Sequence, residues 1–272
     1  MPPLAADTIT SLDNPLVRQA RSLQDASGRR RHHAFLVEGL RLVEAAVELA
    51  SPSFVLHTSE FGRSDPRERA ALRRARAAGA PVREVSERVL AHVAGTVTPQ
   101  GIVAALPLPE PHAGLAAPDG GTLTVLLDGV SDPGNAGTLL RSAAGAGVTR
   151  VWCARGTVDV FSPKVVRAGA GAHFHCALAT DLGWATIRAH LPAGAPVLVA
   201  DAAAAQRYWE VDWTQPGVLI LGSEAHGASG EARALATGAV SIPITYVESL
   251  NVGVAGSIIL FEALRQRLAS QE

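Results

Sequence analysis

Residues 123–141 read Leu-Thr-Val-Leu-Leu-Asp-Gly-Val-Ser-Asp-Pro-Gly-Asn-Ala-Gly-Thr-Leu-Leu-Arg. The first five are β-branched or aliphatic and predict a buried strand, and the turn-forming residues that follow predict a loop leading into a helix. Further strands are predicted at 150–153, 196–200, 218–222 and 241–244. Because continuous apolar strands separated by helical segments are typical of a parallel sheet covered on both faces, we expect an α/β fold here.

The first hundred residues predict a separate, small α/β unit. Apolar residues recur at helical spacing from Leu36 to Ala50, and further helices are predicted at 66–79 and from Ser86. Strands are predicted at 53–57, 82–85 and 101–106. From Pro107 to Gly121 the chain is rich in Pro, Gly and Ala without a periodic pattern, which is typical of a linker. We therefore expect domains at 1–106 and 122–272, joined by a linker at 107–121.

The composition limits the kind of protein this chain can be. Hydrophobic residues make up 47% and charged residues 18% of the chain, as in well-packed globular domains. The formal net charge of -1 gives no overall attraction to nucleic acid, so any RNA contact must come from a local patch. Two cysteines cannot build a disulfide framework and predict a reducing compartment. With neither a signal-peptide pattern nor an apolar run of about 20 residues, we expect a cytoplasmic protein without membrane spans.

Polar side chains cluster in three segments that follow or contain predicted strands. The segments are 128–141, 219–227 (Leu-Ile-Leu-Gly-Ser-Glu-Ala-His-Gly) and 241–251 (Ser-Ile-Pro-Ile-Thr-Tyr-Val-Glu-Ser-Leu-Asn). In open α/β sheets, ligands bind at the loops beyond the carboxyl ends of the strands. The polar residues expected to converge on one site are Asn135, Arg141, Glu224, Ser249 and Asn251.

Each segment also has a purely structural interpretation. The stretch 132–135 suits a turn with a helix start, Glu224 could cap the helix after it, and either Ser249 or Asn251 caps the terminal helix. The glycines match neither the dinucleotide fingerprint nor a phosphate-binding P-loop, and no Gly-x-Ser-x-Gly nucleophile motif is present. The residue types alone therefore leave the activity open.

The order and spacing of the motifs resemble the SpoU (TrmH-like) RNA ribose 2′-O-methyltransferases of the SPOUT superfamily. The matching motifs are Asn135-x-Gly137-x-x-x-Arg141, Gly222-x-Glu224-x-x-Gly227 and Ser249-Leu-Asn251 before a helix. The N-terminal part also resembles the family's RNA-binding domain, through residues 35–43 and 98–103. Ala225 stands where glycine is common in the family, which affects the fine shape of that loop.

The resemblance implies an S-adenosyl-L-methionine (SAM)-dependent methyltransferase that modifies a ribose 2′-hydroxyl in structured RNA, with ribosomal RNA favoured over transfer RNA. It implies a parallel sheet with a deep C-terminal trefoil knot, preceded by a small α/β RNA-binding domain. It further implies a homodimer in which Arg141 reaches the SAM pocket of the partner subunit. The residues implied to contact SAM are Ala200, Gly222, Ser223, Ile242, Pro243 and Leu250. A non-catalytic RNA-binding or assembly factor of the same fold is the alternative.

The chemistry of such a transfer needs in-line placement of the hydroxyl and stabilisation of developing alkoxide charge, and it needs no metal. Because a guanidinium does not give up its proton, we expect Arg141 to stabilise the alkoxide or orient a phosphate. A basic cluster in the first domain is expected to contact RNA phosphates, although solvated charge runs are common. It consists of Arg18, Arg21, Arg29, Arg30 and Arg31. No common zinc pattern fits Cys153, His173, His175 and Cys176.

Overall fold

The computed structural model describes residues 8–115 and 123–270. Within them the chain divides into two compact units. The first unit runs to Leu108 and also contains Phe161–Arg167, and the second contains Pro109–Val160 and the chain from Ala168 onward. Within the described residues, no helix is both long enough and apolar enough to cross a bilayer.

The first unit contains a four-stranded mixed sheet with strand order β1-β4-β2-β3. Its strands are β1 (Ala34–Glu38), β2 (Phe54–Thr58), β3 (Val82–Val85) and β4 (Ile102–Pro107). Its helices are α1 (Pro15–Ser22), α2 (Ala26–His32), α3 (Leu40–Leu49), α4 (Pro66–Ala77) and α5 (Glu87–Ala94). Strand β4 pairs antiparallel with both of its neighbours, and β2 pairs parallel with β3.

The expected helix start at Leu36 is wrong. Leu36 lies in β1, where it pairs with Ala105 of β4, and α3 begins only at Leu40. Gly39 between them has φ of 92°, a conformation that separates strand from helix and that side-chain-bearing residues rarely adopt. The helical spacing read from the sequence therefore ran across two elements, the largely buried strand β1 and the helix α3 that follows it.

The second unit contains a six-stranded sheet with order β10-β8-β9-β5-β6-β7, and all its strand pairs are parallel. Its strands are β5 (Leu123–Asp128), β6 (Arg150–Ala154), β7 (Ala177–Leu182), β8 (Val197–Ala200), β9 (Gly217–Gly222) and β10 (Gly238–Val240). The helices of this half of the chain are α6 (Pro133–Gly145), α7 (Pro163–Gly169), α8 (Trp184–His190), α9 (Gly230–Leu235) and α10 (Val252–Ala269). The expected parallel α/β fold is confirmed.

Two strands of this sheet differ from expectation. The strand expected at 241–244 lies earlier, at Gly238–Val240, and Ser241 forms only an isolated bridge with Arg207. Pro243 has no amide proton to donate to a strand ladder, so the strand cannot continue through it. Strand β7 was not anticipated, because its Ala-Leu-Ala-Thr-Asp-Leu sequence has little of the β-branched and aromatic character that marks strands.

Part of the segment expected to be a linker packs in the second unit. Ala113–Leu115 forms a short 3-10 turn in which Gly114 and Leu115 are buried. The indole Nε1 of Trp152, on β6, donates a hydrogen bond to the carbonyl of Gly114 at 3.0 Å. Residues 116–121 of the expected linker lie outside the described residues.

The carboxyl ends of the two central strands lie side by side, which sets the position of the candidate site. Asp128, the last residue of β5, pairs with Gly222, the last residue of β9. The buried Asp128 carboxylate accepts a hydrogen bond from the amide of Ser229 at 2.6 Å. The loops that follow both strands are therefore held at one edge of the sheet.

Candidate active site

Glu224 joins the loop after β9 to the loop after β5. Its Oε1 accepts hydrogen bonds from the side chain of Asn135 at 2.8 Å and from the amide of Asp132 at 3.2 Å. Its Oε2 accepts from both the amide and the hydroxyl of Ser131, each at 3.2 Å. The carboxylate therefore receives four donors from the loop after β5 and the first turn of α6, in place of the cap on the following helix that the sequence also allowed.

The electrostatics of Glu224 follow from these donors. Burial opposes ionisation of the carboxyl, but the bonds from Asn135 and from backbone amides of both loops outweigh it and lower its pKa from 4.5 to about 2. Glu224 is therefore an anion at neutral pH. A carboxylate in that state positions its donors and does not act as a base near pH 7.

Asn135 and Asn251 extend this connection to the terminal helix. The Asn251 amide nitrogen donates to Asn135 Oδ1 at 2.9 Å, and Asn251 Oδ1 accepts from the amides of Gly253 and Val254. Asn251 is thus the N-cap of α10, which answers the question that the sequence left open between it and Ser249. The three side chains Glu224, Asn135 and Asn251, here called the hub, join three loops.

Beside the hub lies a cavity of about 460 Å³. Its lining includes Glu224, Ser249 and Asn251, and five of the six residues expected to contact SAM, namely Ala200, Gly222, Ser223, Ile242 and Leu250. Pro243 is exposed and is not among the lining residues. Leu221, Ile244, Val252 and Ile259 add apolar surface. The volume is that of an ordinary small-molecule pocket.

Gly222 is required by the tight loop that closes one side of this cavity. A Cβ added at Gly222 would lie 2.2 Å from the amide nitrogen of Ala228. Ser223 and Gly227 exchange two backbone hydrogen bonds of 2.9 Å, and Gly227 has φ of 67°. The glycines at both ends of the motif therefore have a conformational role, apart from any approach of a ligand.

The sequence interpretation missed an ion pair in the cavity lining. Arg233 Nη1 lies 2.6 Å from Asp201 Oδ2, and both residues line the cavity. The amide of Ala203 and the Arg233 guanidinium lower the pKa of Asp201. Asp201 directly follows β8, so its place at the carboxyl end of a buried strand was an available signal.

Arg141 does not lie at the hub of its own chain. It is exposed on α6 and lines a second, smaller concavity with His175. It follows Asn135 by six residues, which on a helix corresponds to about 9 Å along the axis and to a different face. The two residues of the first motif therefore point to two surfaces.

The basic cluster of the first unit is exposed except at Arg29. Arg18, Arg21, Arg30 and Arg31 are exposed on α1 and α2. Arg29 is 4% exposed, and its Nη1 donates to the carbonyls of Leu23 and Gln24 near the end of α1. The guanidinium fixes the α1–α2 turn, so Arg29 is corrected from a candidate RNA contact to a structural residue.

Comparisons with known proteins show which family the chain resembles. Residues 122–261 match the family model described as the SpoU rRNA methylase family, and residues 14–104 match the MRM3-like substrate binding domain. An uncharacterized tRNA/rRNA methyltransferase from Synechocystis is 36% identical, with 99% of this chain and 98% of that protein covered.

Two further relatives are functionally or structurally described. A 23S rRNA (guanosine(2553)-2′-O)-methyltransferase from Bacillus subtilis is 30% identical over 93% of this chain and 97% of its own length. The crystal structure of an AdoMet-bound rRNA methyltransferase from Sinorhizobium meliloti is similar with a TM-score of 0.83 and 31% identity, covering 95% of this chain and 97% of that one.

Proposed function

The chain belongs to the SpoU rRNA methylase family, and we propose that it transfers the methyl group of SAM to a ribose 2′-hydroxyl of ribosomal RNA. One observation carries the proposal. The three motif loops meet at the hub, and the hub borders a cavity lined by nearly all the residues expected to hold SAM. Relatives named as rRNA 2′-O-methyltransferases support the substrate class.

The cavity suits a methyl donor that has both apolar and charged parts. Leu250 and Ile242 supply apolar surface for a flat base, while the Asp201–Arg233 pair and the backbone at Gly222 supply polar groups. When bound, SAM supplies an electrophilic methyl group on a sulfonium sulfur. The protein's contribution is to orient the donor and to exclude water around it.

We assign the hub a positioning role. Glu224 holds the loop at 131–135, and Asn135 holds the start of α10 through Asn251. Because each amide has its oxygen and nitrogen fixed by a different partner, a change at any one of these residues disturbs all three loops. Ser249 is exposed, lines the cavity and is proposed to contact donor or substrate directly.

We further propose that the protein works as a homodimer. Val254, Phe261 and Leu268 recur at seven-residue spacing on α10 and are each about half exposed, so they form an exposed apolar stripe along the helix. Arg141 lies on the neighbouring helix α6, on a surface away from the hub of its own chain. A two-fold dimer would let the arginine of each subunit complete the site of the other.

Mixed dimers test this arrangement. Arg141→Ala and Asn251→Ala homodimers are each expected to be nearly inactive. When the two variants are co-expressed, half of the dimers are mixed and each mixed dimer has one intact site, so about a quarter of wild-type activity returns. Mixed dimers as inactive as either parent would show that Arg141 acts within its own subunit.

Three other properties are proposed, the first two from family membership and the third from the cysteines. The first unit is the RNA-binding domain, with Arg18, Arg21, Arg30 and Arg31 on phosphates, and the segment near 107–121 joins it to the methyltransferase domain. The sheet of the second unit contains the family's trefoil knot. The two free, buried cysteines suit a cytoplasmic location, because reducing conditions keep thiols unpaired.

The central experiment is to map the product. Purified protein is incubated with SAM and deproteinised ribosomal RNA, and the nucleosides are analysed by mass spectrometry. A single ribose-methylated position is expected, and Asn251→Ala should not form it. Methylation of transfer RNA alone would show that the substrate is transfer RNA and not ribosomal RNA. SAM binding without methyl transfer to either RNA would instead indicate a non-catalytic binding factor.

A further inference from the structure

Helix α6 packs closely on residues 168–172, which are the last two residues of α7 and the turn after it, and this packing sets the position of Arg141. A Cβ added at Gly137 would lie 2.3 Å from the Cβ of Ala168 and 3.0 Å from the amide nitrogen of Gly169. Arg141 follows Gly137 by four residues and so lies on the same helix face, one turn further along. The arginine is thereby brought beside the next residues of the same turn.

The turn forms a concavity in front of Arg141. Ala170 and Gly171 have φ of 47° and 101°, two consecutive left-handed residues that reverse the chain sharply. A left-handed backbone conformation costs an alanine such as Ala170 about 1 kcal/mol, so contacts with neighbouring residues must hold it there. The concavity measures about 300 Å³. Its lining consists of Arg141, Ala144, Gly145, Gly169, Ala170, Gly171, Ala172 and His175.

The two histidines that follow this turn differ in environment. His173 is largely buried, its Nε2 donates to the carbonyl of Val160 at 2.7 Å, and burial lowers its pKa, so it has a structural role. His175 is exposed and lines the concavity with Arg141. The other charged or titratable groups of the second unit near this turn belong to the segment before it, to β6 and β7, and to α10, which packs on α6. They are Asp159, Arg150, Cys153, Cys176, Asp181, Glu262, Arg265 and Arg267.

The proposed methyl transfer requires a proton acceptor that the hub does not supply. Glu224 is a strongly stabilised anion, and a guanidinium such as that of Arg141 does not take up a proton. An imidazole is the side-chain type that ordinarily exchanges protons near neutral pH. Among the described residues that line this concavity, His175 is the one of that type.

We propose that His175 is a catalytic residue that accepts the proton of the ribose 2′-hydroxyl, beside Arg141, which holds the adjacent anionic oxygens of the RNA. In the step, the hydroxyl oxygen forms a bond to the methyl carbon and the carbon–sulfur bond breaks, with its electron pair passing to sulfur. The O–H proton passes to the imidazole and later to solvent. This inference rests on the proposed function and names a further residue for it.

Single-turnover rates test the role of His175. With saturating SAM and ribosomal RNA, His175→Ala is expected to slow methyl transfer about 100-fold, the lower range for losing a general base. The acid limb of the pH–rate profile should disappear, while SAM affinity by calorimetry and RNA affinity stay within about twofold of wild type. The matched control is His190→Ala, an exposed histidine on α8 that lies outside the concavity and should leave the rate unchanged.

Two results would overturn the proposal. One is a His175→Ala rate within about threefold of wild type with the acid limb intact. The other is a loss confined to RNA affinity, which would make His175 a phosphate contact.

A second readout does not need activity. Diethyl pyrocarbonate labels exposed imidazoles, and the sites are read by mass spectrometry. Ribosomal RNA should protect His175 and leave His190 labelled. Unprotected His175 under saturating RNA also overturns the proposal. If wild-type protein binds SAM and protects His175 but methylates no RNA, the proposed function has failed while His175 is still an RNA contact.

Discussion

Replacing Glu224 with glutamine should loosen the hub in a way that depends on pH. The substitution keeps the size of the side chain and one acceptor oxygen, which can still serve Asn135 and Asp132. It replaces Oε2 with an NH₂ group facing the amide and hydroxyl of Ser131, both of which were bonded to that oxygen. The backbone amide of Ser131 then loses its acceptor.

The expected magnitude follows from the pKa of Glu224. Lowering that pKa from 4.5 to about 2 corresponds to about 3 kcal/mol, at about 1.4 kcal/mol per pH unit. The side chain is exposed, so solvent screening reduces this figure, and we expect Glu224→Gln to lower the free energy of unfolding at pH 7 by about 1 kcal/mol. In a domain of this size, that is a Tm decrease of about 2–4 °C.

The sign of the pH dependence is fixed by the direction of the shift. A carboxyl with a depressed folded-state pKa stabilises the fold above its unfolded-state pKa, near 4.5 here, and loses that contribution as pH falls toward about 2. The Tm difference between wild type and Glu224→Gln should therefore be full at pH 7 and shrink between pH 4.5 and pH 2.

Thermal unfolding followed by circular dichroism at several pH values is the assay. Glu248→Gln is the control, because it removes an exposed carboxylate from the loop that also contributes to the cavity. Calorimetry should in addition show weaker SAM binding for Glu224→Gln alone. Equal Tm values for wild type and Glu224→Gln at pH 7, or a difference that persists at the lowest pH, would refute the reasoning.

Three further outcomes are expected. Gly222→Ala should abolish SAM binding by calorimetry, because its Cβ would overlap the Ala228 amide at 2.2 Å, whereas Gly230→Ala, with open space around it, should bind normally. Gly137→Ala should lower stability by about 1–3 kcal/mol through overpacking against Ala168, while Gly145→Ala, whose Cβ meets its nearest atom at 3.4 Å, should change Tm little. Arg30→Ala with Arg31→Ala should weaken RNA binding and reduce its salt dependence, by up to about one unit of slope for each phosphate that the protein no longer neutralises; an unchanged slope would mean a solvated charge run.

Sequence periodicity located the central strands well and the peripheral ones poorly, for a physical reason. Strands β5 and β9 are buried along their whole length, and most of each is a run of Leu, Val and Ile, which a pattern reveals. Strand β7 (Ala-Leu-Ala-Thr-Asp-Leu) buries Leu178, Ala179 and Leu182 but contains no continuous Val, Ile or Leu run, and it pairs with β6 from Arg150–Ala177 onward. Such a strand has little local signature, because its pairing with β6 and the burial of a few apolar side chains stabilise it without a β-branched run.

The candidate site shows the same division between local and long-range information. The motifs predicted that Glu224, Asn135 and Asn251 would converge, and their hydrogen bonds now join residues 89 and 116 positions apart. The residue types alone suggested that Arg141 would converge with them, whereas the family resemblance implied that it serves the partner subunit. Its position on another surface depends on how Gly137 seats α6 against residues 168–172. Arg29 was expected to contact RNA because the sequence does not distinguish an arginine that bonds nearby carbonyls from one that binds phosphate.

The proposed reaction uses two separate surfaces of the protein. Substitutions at one surface should impair a different property from substitutions at the other. Several hydrogen bonds to backbone groups hold the hub and the Gly222 loop, so their variants should lose stability and SAM affinity together. Arg141 and His175 line an open concavity and are not part of that network, so their variants should lose rate while keeping both. A direct test measures Tm, SAM affinity and single-turnover rate for four variants and compares them. The variants are Glu224→Gln, Asn251→Ala, Arg141→Ala and His175→Ala. If Arg141→Ala lost SAM affinity as severely as Asn251→Ala, the two surfaces would be one energetic unit, and the separate roles argued for donor and acceptor binding would have to be abandoned.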